Sequence, residues 1–423
     1  MSEEFLHYLW KYSLFDKDLI LSSGEIVEIL NAGLHNFDAG PDFFNAKIKI
    51  ENTIWAGNVE IHINSSDWKK HNHHIDKSYD NIILHVVFNN DSEIKRANGE
   101  IIPTVEISGK FNIKLLEKYQ GFMNNKLWIP CQNQIQDANK FVVSKWFERL
   151  LIERLEKKTE NIYKTLELYN NNWKQTFYQH LARNFGFNLN AEPFELLSKS
   201  LPENYLGKHK DKIFQIEALL FGQAGLLDKN FIDDYPSNLQ KEYLFLKHKF
   251  SLEPIDKHLW RFMRLRPGNF PTLRIAQFAN LYSKSDDLFS IVLETGNYKD
   301  IFKIFDATTS PYWESHYVFD KLSVKKKKIL GENAANLLII NTVVPFLFAY
   351  GNYKNIQSFK DRALEFLEQI PGEKNSIINR YEKLGMTSNK AYHTQALLEL
   401  KKNYCNLKKC LQCSIGNELL KNG

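Results

Sequence analysis

Cysteine is nearly absent from this chain: four residues in 423, three of them between positions 405 and 413. So few thiols exclude a small secreted domain held by disulfides and suit a reducing compartment. Long apolar runs are also missing. The most apolar stretch, LLIINTVVPFLFAY at 337–350, is short for a bilayer and is broken by Asn341, Thr342 and Pro345. It reads as a buried helix end, and no membrane partner is expected. The opening residues, MSEEFLHYLWKYSLF, carry early acids and no apolar core before a small-residue cleavage site. They do not read as a signal peptide, so a cytoplasmic location is expected. The phosphate-loop signature is missing as well, because Gly222-Gln-Ala-Gly225 has no Lys-Ser/Thr after it and reads as close helix packing. No fixed-period repeat points to a solenoid.

What remains is enough chain for two or three domains with real cores. Aromatic residues make up 13%, and charge is unevenly spread. Residues 1–130 hold 13 Lys+Arg against 18 Asp+Glu, a formal −5, whereas the rest hold 42 against 32, or +10. Seven of 13 histidines fall in the first 130 residues, five of them from His62 to His85. This pattern suits a metal or catalytic module joined to an anion-binding one.

Hydrophobic periodicity divides the chain in a similar way. Residues 3–15 read as a short amphipathic helix with Phe5, Tyr8, Leu9, Tyr12 and Phe15 on one side. From Glu25 to about Ser108, EIVEIL, NAKIKI, NVEIHI and NIILHVVF read as strands, and ANGEIIPTVEI follows an Asn-Gly turn. Beyond Lys140 helical spacing takes over, with Trp146, Leu150, Leu151 and Leu155 on one stripe. The expected class is α+β. An N-terminal α/β or mainly β domain over 1–135 precedes a larger irregular all-α domain over 136–423, and the C-terminal Cys motif packs back on the junction.

The chemistry-bearing residues concentrate in GPDFFNAKIKIENTIWAGNVEIHI at 40–63. Asp42 opens one strand and Glu60 lies near the end of the next, so a hairpin brings the two carboxylates together. Such an oxygen-rich pocket suits Mg²⁺ or Mn²⁺, with Asp42 and Glu60 as ligands. His62 shares a face with Glu60, placing an imidazole where it can orient a water or bind the metal. This layout resembles the PD-(D/E)XK nuclease superfamily, whose opening order of one helix and three strands fits residues 3–63. The resemblance implies that Asp42 and Glu60 hold the metal, with Ile61 offering its carbonyl. His62 stands where the superfamily has lysine. His71 and His73, in a run that also holds His74 and His85, either complete that pocket against phosphate or build a separate metallohydrolase site.

The whole chain also resembles an uncharacterised bacterial family of unknown function. The landmarks are GPDF at 40–43, GNVEIH at 57–62, SDW at 66–68, WIPC at 128–131, FGQAGLL at 221–227, RPGNFPTLRIAQ at 266–277 and the terminal cysteine motif.

Cys405, Cys410 and Cys413 form C-x₄-C-x₂-C, and Cys131 offers a distant fourth thiolate. Four thiolates suit Zn²⁺ or a 4Fe–4S cluster; the other reading is three unrelated loop thiols and one packed cysteine. In the rear half, Arg261, Arg264, Arg266 and Arg274 sit among aromatic residues. They read either as nucleic-acid contacts or as the rim of an aromatic core. The run ending at Lys328 reads as a solvated loop or helix start. The leading expectation is a metal-dependent nuclease or nuclease-like DNA-processing protein. The alternatives are a metallohydrolase acting on a small substrate and a non-catalytic nucleic-acid or protein scaffold.

Overall fold

The computed structural model describes residues 1–16, 19–96, 98–285 and 287–421. The protein is α+β, and its chain forms two compact units. Unit 1 comprises Met1–Trp146 with Lys401–Gly423, and unit 2 comprises Phe147–Leu400.

Unit 1 begins with helix α1 (Glu3–Lys11), four residues shorter than its periodicity suggests. Ser2 caps it, and Phe5, Leu6, Tyr8, Leu9 and Trp10 are buried. Glu3 and His7 are left on its more open side, one turn apart. Strands β1 (Leu19–Ile20), β2 (Ile26–Asn31), β3 (Leu34–His35), β4 (Phe43–Ile50), β5 (Thr53–Asn64), β6 (Ile82–Asn89) and β7 (Thr104–Glu106) follow. They form one mixed sheet in the order β1-β2-β4-β5-β6-β7, with β3 also on β4. β2, β4 and β5 run antiparallel, whereas β5, β6 and β7 are parallel. A bridge between Leu21 and Val105 brings the two edges together, so the sheet is nearly a barrel.

The parallel step from β5 to β6 needs a crossover. Helix α2 (Asp67–Lys70) and two 3-10 turns, His73–Ile75 and Lys77–Tyr79, provide it. The fully buried Trp68 anchors this segment. β6 is buried over six consecutive residues, as expected of a central parallel strand. After β7 come helix α3 (Ile113–Asn124) and the start of the long helix α4 (Lys140–Leu168).

Unit 2 is almost wholly helical around an aromatic core that includes Phe177, Tyr178, Phe221, Trp313 and Phe346. The expected apolar run lies inside a longer helical stretch than the sequence suggested, Glu332–Lys354. It is long and apolar enough to cross a membrane, yet 78% of its apolar window is buried within the protein. A π-helical turn at Ile339–Val343 precedes Pro345, whose ring cannot supply an N–H to the helical ladder. Lys328 departs from the expected solvated run. It is buried, with its ammonium donating to the carbonyls of Trp313, Glu314 and His316 and lying 4.1 Å from the Tyr317 ring centroid. Gly222 packs against the Tyr243 ring so closely that a Cβ there would lie 2.0 Å from it.

Candidate metal centre

Antiparallel pairing of Phe43 with Val59 sets Asp42 just across from Glu60. Two reciprocal bonds lock this arrangement: Asp42 N donates to Glu60 Oε2 at 3.1 Å, and Ile61 N donates to Asp42 Oδ2 at 2.9 Å. Register shifts between Phe43 and Ala46, where Asn45 has φ 56 and its N–H reaches Asn58 Oδ1. Such a bulge bends the strand next to the site.

Glu60 and His62 share one face of β5, and both are buried at 4% and 1% exposure. The parallel neighbour brings His85 directly beside Glu60 in register. The crossover supplies the rest. His71 ends α2, and Asn72 turns the chain at φ 63, a left-handed conformation that asparagine tolerates. His73 is thereby directed back toward the sheet, stacked 3.8 Å from Tyr79 and edge-on to Trp68.

The donor atoms converge. His62 Nε2 lies 3.1 Å from His71 Nδ1 and 3.7 Å from Glu60 Oε1, and Glu60 Oε1 lies 3.2 Å from His73 Nε2. One nitrogen from each of His62, His71 and His73 falls within 4.8 Å of the others. A tetrahedral ion with bonds of about 2.0–2.1 Å separates its ligands by about 3.3 Å, so these spacings fit one divalent metal. Three imidazoles and a carboxylate suit Zn²⁺, Mn²⁺ or Fe²⁺ more than Mg²⁺. With His62 Nε2 bare for a metal, Nδ1 carries the proton and faces His85 Nε2 at 2.8 Å. This is the outer support that metal-bound histidines ordinarily have.

The electrostatics follow from burial. It depresses His62 to about 2, helped by His85, His73 and His71, and takes His85 to about 3. His73 is also held below its ordinary value by burial, against the pull of Asp42 and Asp76. These imidazoles are therefore neutral, the form that binds metal. Burial, then the Asp42 carboxylate, push Glu60 up to about 9.

Two contributors from α1 escaped the sequence reading. His7 Nε2 lies 3.2 Å from Asp42 Oδ2. Burial lowers the His7 pKa, but Asp42, followed by Glu3 and Glu60, outweighs it and leaves a net rise. Glu3 is raised by burial and by Asp42, with His71 and His7 acting against them. The i,i+4 spacing of an acid and a histidine beside the apolar stripe of α1 was the available signal.

The remaining expected residues lie elsewhere. Cys131, Cys405, Cys410 and Cys413 all belong to unit 1, and no disulfide joins them. Arg261, Arg264 and Arg266 are exposed in unit 2. Arg274 is not a surface residue: it is 7% exposed, donates to Gln277 and Asn269, and lies 4.7 Å from the Phe187 ring centroid. Arg274 and Arg266 line one cavity of about 540 Å³.

No curated protein and no solved structure matches this chain. A family model described as "Protein of unknown function (DUF2851)" matches residues 3–376, which include the whole histidine–carboxylate centre and end before the last three cysteines. By that match over most of its length, the chain belongs to the DUF2851 family.

Proposed function

We propose that this protein is a divalent-metal-dependent hydrolase acting on phosphodiester bonds of nucleic acid in the cytoplasm. The observation that carries the reading is the convergence of Glu60 Oε1 with His62 Nε2, His71 Nδ1 and His73 Nε2. Those four side chains would hold the ion. When bound, it would acidify a water and polarise the attacked phosphorus–oxygen bond. Asp42 fixes the start of β4 against β5 and presents a carboxylate to His7, giving the centre an acid–histidine pair beside the metal donors. His85 holds the ring of His62 in place, and Trp68 and Tyr79 wall the buried side. His71 is exposed, so substrate has an approach from that side.

Phosphodiesters are favoured by the Asp42–Glu60 juxtaposition on neighbouring strands, the arrangement the resemblance to PD-(D/E)XK nucleases implies. The exposed Arg261, Arg264 and Arg266 offer phosphate contacts. The cytoplasm is favoured by four thiols without a disulfide. A second reading has the three-histidine donor set serving a small carboxylic ester or amide substrate. One assay separates the two readings. Protein loaded with Mn²⁺ or Zn²⁺ is incubated with single- and double-stranded DNA, RNA, bis(p-nitrophenyl) phosphate and p-nitrophenyl acetate, alongside Glu60→Gln and His73→Ala. Metal-dependent phosphodiester cleavage lost in both variants supports the nuclease reading. Cleavage of the acetate alone moves the assignment to the second reading, and inactivity on every substrate counts against both.

A further inference from the structure

The hydrolase reading leaves the four cysteines unused, although the fold gathers them. Cys131 follows α3, and the other three lie in the segment that rejoins unit 1 at Lys401. Specific contacts seat that segment. The Lys408 ammonium donates to the carbonyls of Met123 and Asn125, and the Asn125 amide holds Pro130 O at 2.8 Å. Lys401 Nζ donates to Trp128 O at 2.6 Å and lies 4.6 Å from its ring centroid. The loop is therefore fastened to the residues just before Cys131.

Within the loop, Cys413 N donates to Cys410 O at 3.3 Å. Gly416 passes so close that a Cβ would lie 2.5 Å from Cys410 O, which keeps the turn around the two cysteines tight. Cys413 stands just before the helix Ser414–Lys421. Burial pushes its thiol up to about 12, while the N–H groups of Gly416 and Ile415 act in the other direction. Cys131 and Cys410 are likewise pushed up, first by burial and then by the neighbouring cysteines. Cys131, Cys410 and Cys413 are buried and Cys405 is half-buried, with the Lys408 ammonium acting on Cys410.

We propose that Cys131, Cys405, Cys410 and Cys413 ligate a 4Fe–4S cluster that clips the returning C-terminal segment to the turn after α3. Spacing favours a cluster over a single ion. Four sulfurs around one zinc at about 2.3 Å lie about 3.8 Å apart. Among the described residues, the set of three or more metal-binding donors that closes to within 4.8 Å is the histidine trio, not the thiols. A cubane holds its thiolates farther apart, one on each iron. The single Cys410-x₂-Cys413 turn with two separate cysteines also lacks the paired knuckles of a zinc ribbon.

The test uses full-length protein prepared anaerobically from iron-replete cells. Iron, acid-labile sulfide and zinc are counted per chain, and the visible spectrum is followed on dithionite reduction. About four irons and about four sulfides per chain, with a bleachable chromophore, is the expected result. Cys131→Ser and Cys413→Ser should lose both elements while far-UV dichroism stays helical. His73→Ala should retain them, which separates the cluster from iron bound at the histidines. Should the cysteine variants fail to fold, the sulfide count of the unaltered chain still decides. Stoichiometric zinc without sulfide, or neither metal, overturns the cluster whether or not the protein proves to be a hydrolase.

Discussion

Asp42 joins two strands and a helix through one short side chain. Its carboxylate accepts from Ile61 N and faces His7, while its own N–H is held by Glu60. Asp42→Ala therefore leaves Ile61 N without its acceptor. We expect a loss of about 1–3 kcal/mol in urea unfolding, together with loss of any metal-dependent cleavage. Asp42→Asn keeps an acceptor oxygen, so it should restore most of the stability but not the charge. Equal stability of the two variants would show that the clasp contributes nothing. At the centre itself, Glu60→Gln and His73→Ala should abolish tight binding of Zn²⁺ or Mn²⁺ in calorimetry. His85→Ala removes only the support of His62 and should weaken binding about 10–100-fold. An unchanged affinity in His85→Ala would remove that role. Asp42, Glu60 and His62 were legible from strand alternation and turn chemistry, because a hairpin relates its own ends. The sequence also offered His71 and His73 as completing that pocket, but not how they reach Glu60, which depends on a left-handed Asn72 and on Trp68 anchoring the crossover. His7 was not among the expected residues: its i,i+4 spacing from Glu3 is visible in the sequence, but its contact with Asp42 at the start of β4 is tertiary.

Whole elements were more readable than their ends. Alternation and apolar runs gave β2, β4, β5 and β6, yet the parallel pairing of β5 with β6 requires the crossover, which the sequence shows only as a short polar stretch. The expected apolar run sits within the helical stretch Glu332–Lys354, whose apolar middle is largely buried and whose ends are exposed. Lys328 was misread since charge normally implies solvent, whereas here three carbonyls and a ring satisfy the ammonium. Gly222 illustrates the reverse case, in which a glycine pair reported packing faithfully. It lies in the helix Ile213–Gln223, and the Tyr243 ring of the helix Asp234–Phe250 occupies the space of its missing side chain. Gly222→Ala must push that ring aside, although alanine has the better helix propensity. We expect the clash to win, with a net loss of about 1–3 kcal/mol seen as a lower urea midpoint at unchanged slope. A gain in stability would mean that Tyr243 moves away without cost.

For the molecule as a whole, the chain leaves unit 1 inside α4 and re-enters it at Lys401. Metal should act where its donors lie. Saturating Zn²⁺ or Mn²⁺ at a hundredfold over Kd adds about 2.7 kcal/mol to the state that binds it. Hydrogen exchange should therefore slow around Glu60, His62, His71 and His73, and protection confined to unit 2 would contradict the assignment. Within unit 2, proton linkage should act through Glu217. This residue is 1% exposed; Tyr235 OH donates to its Oε2, and its Oε1 has no partner among the described residues. Burial raises its pKa from 4.5 to about 7, against the smaller lowering by Tyr235 and Ser310. Between those values the folded chain keeps a proton that the unfolded chain releases, so stability falls as pH rises. The contribution is fully present below pH 4.5 and lost as pH passes 7. Its ceiling is about 3 kcal/mol, taken from 1.36 kcal/mol per unit. Glu217→Gln is neutral in both states and should remove this share of the fall in denaturant titrations at pH 5, 6, 7 and 8, leaving the slope that Glu60 imposes from unit 1. Identical slopes in the two proteins would place the proton elsewhere. A steeper fall in the variant would mean that Glu217 is ionised in the fold and stabilised by a partner other than Tyr235.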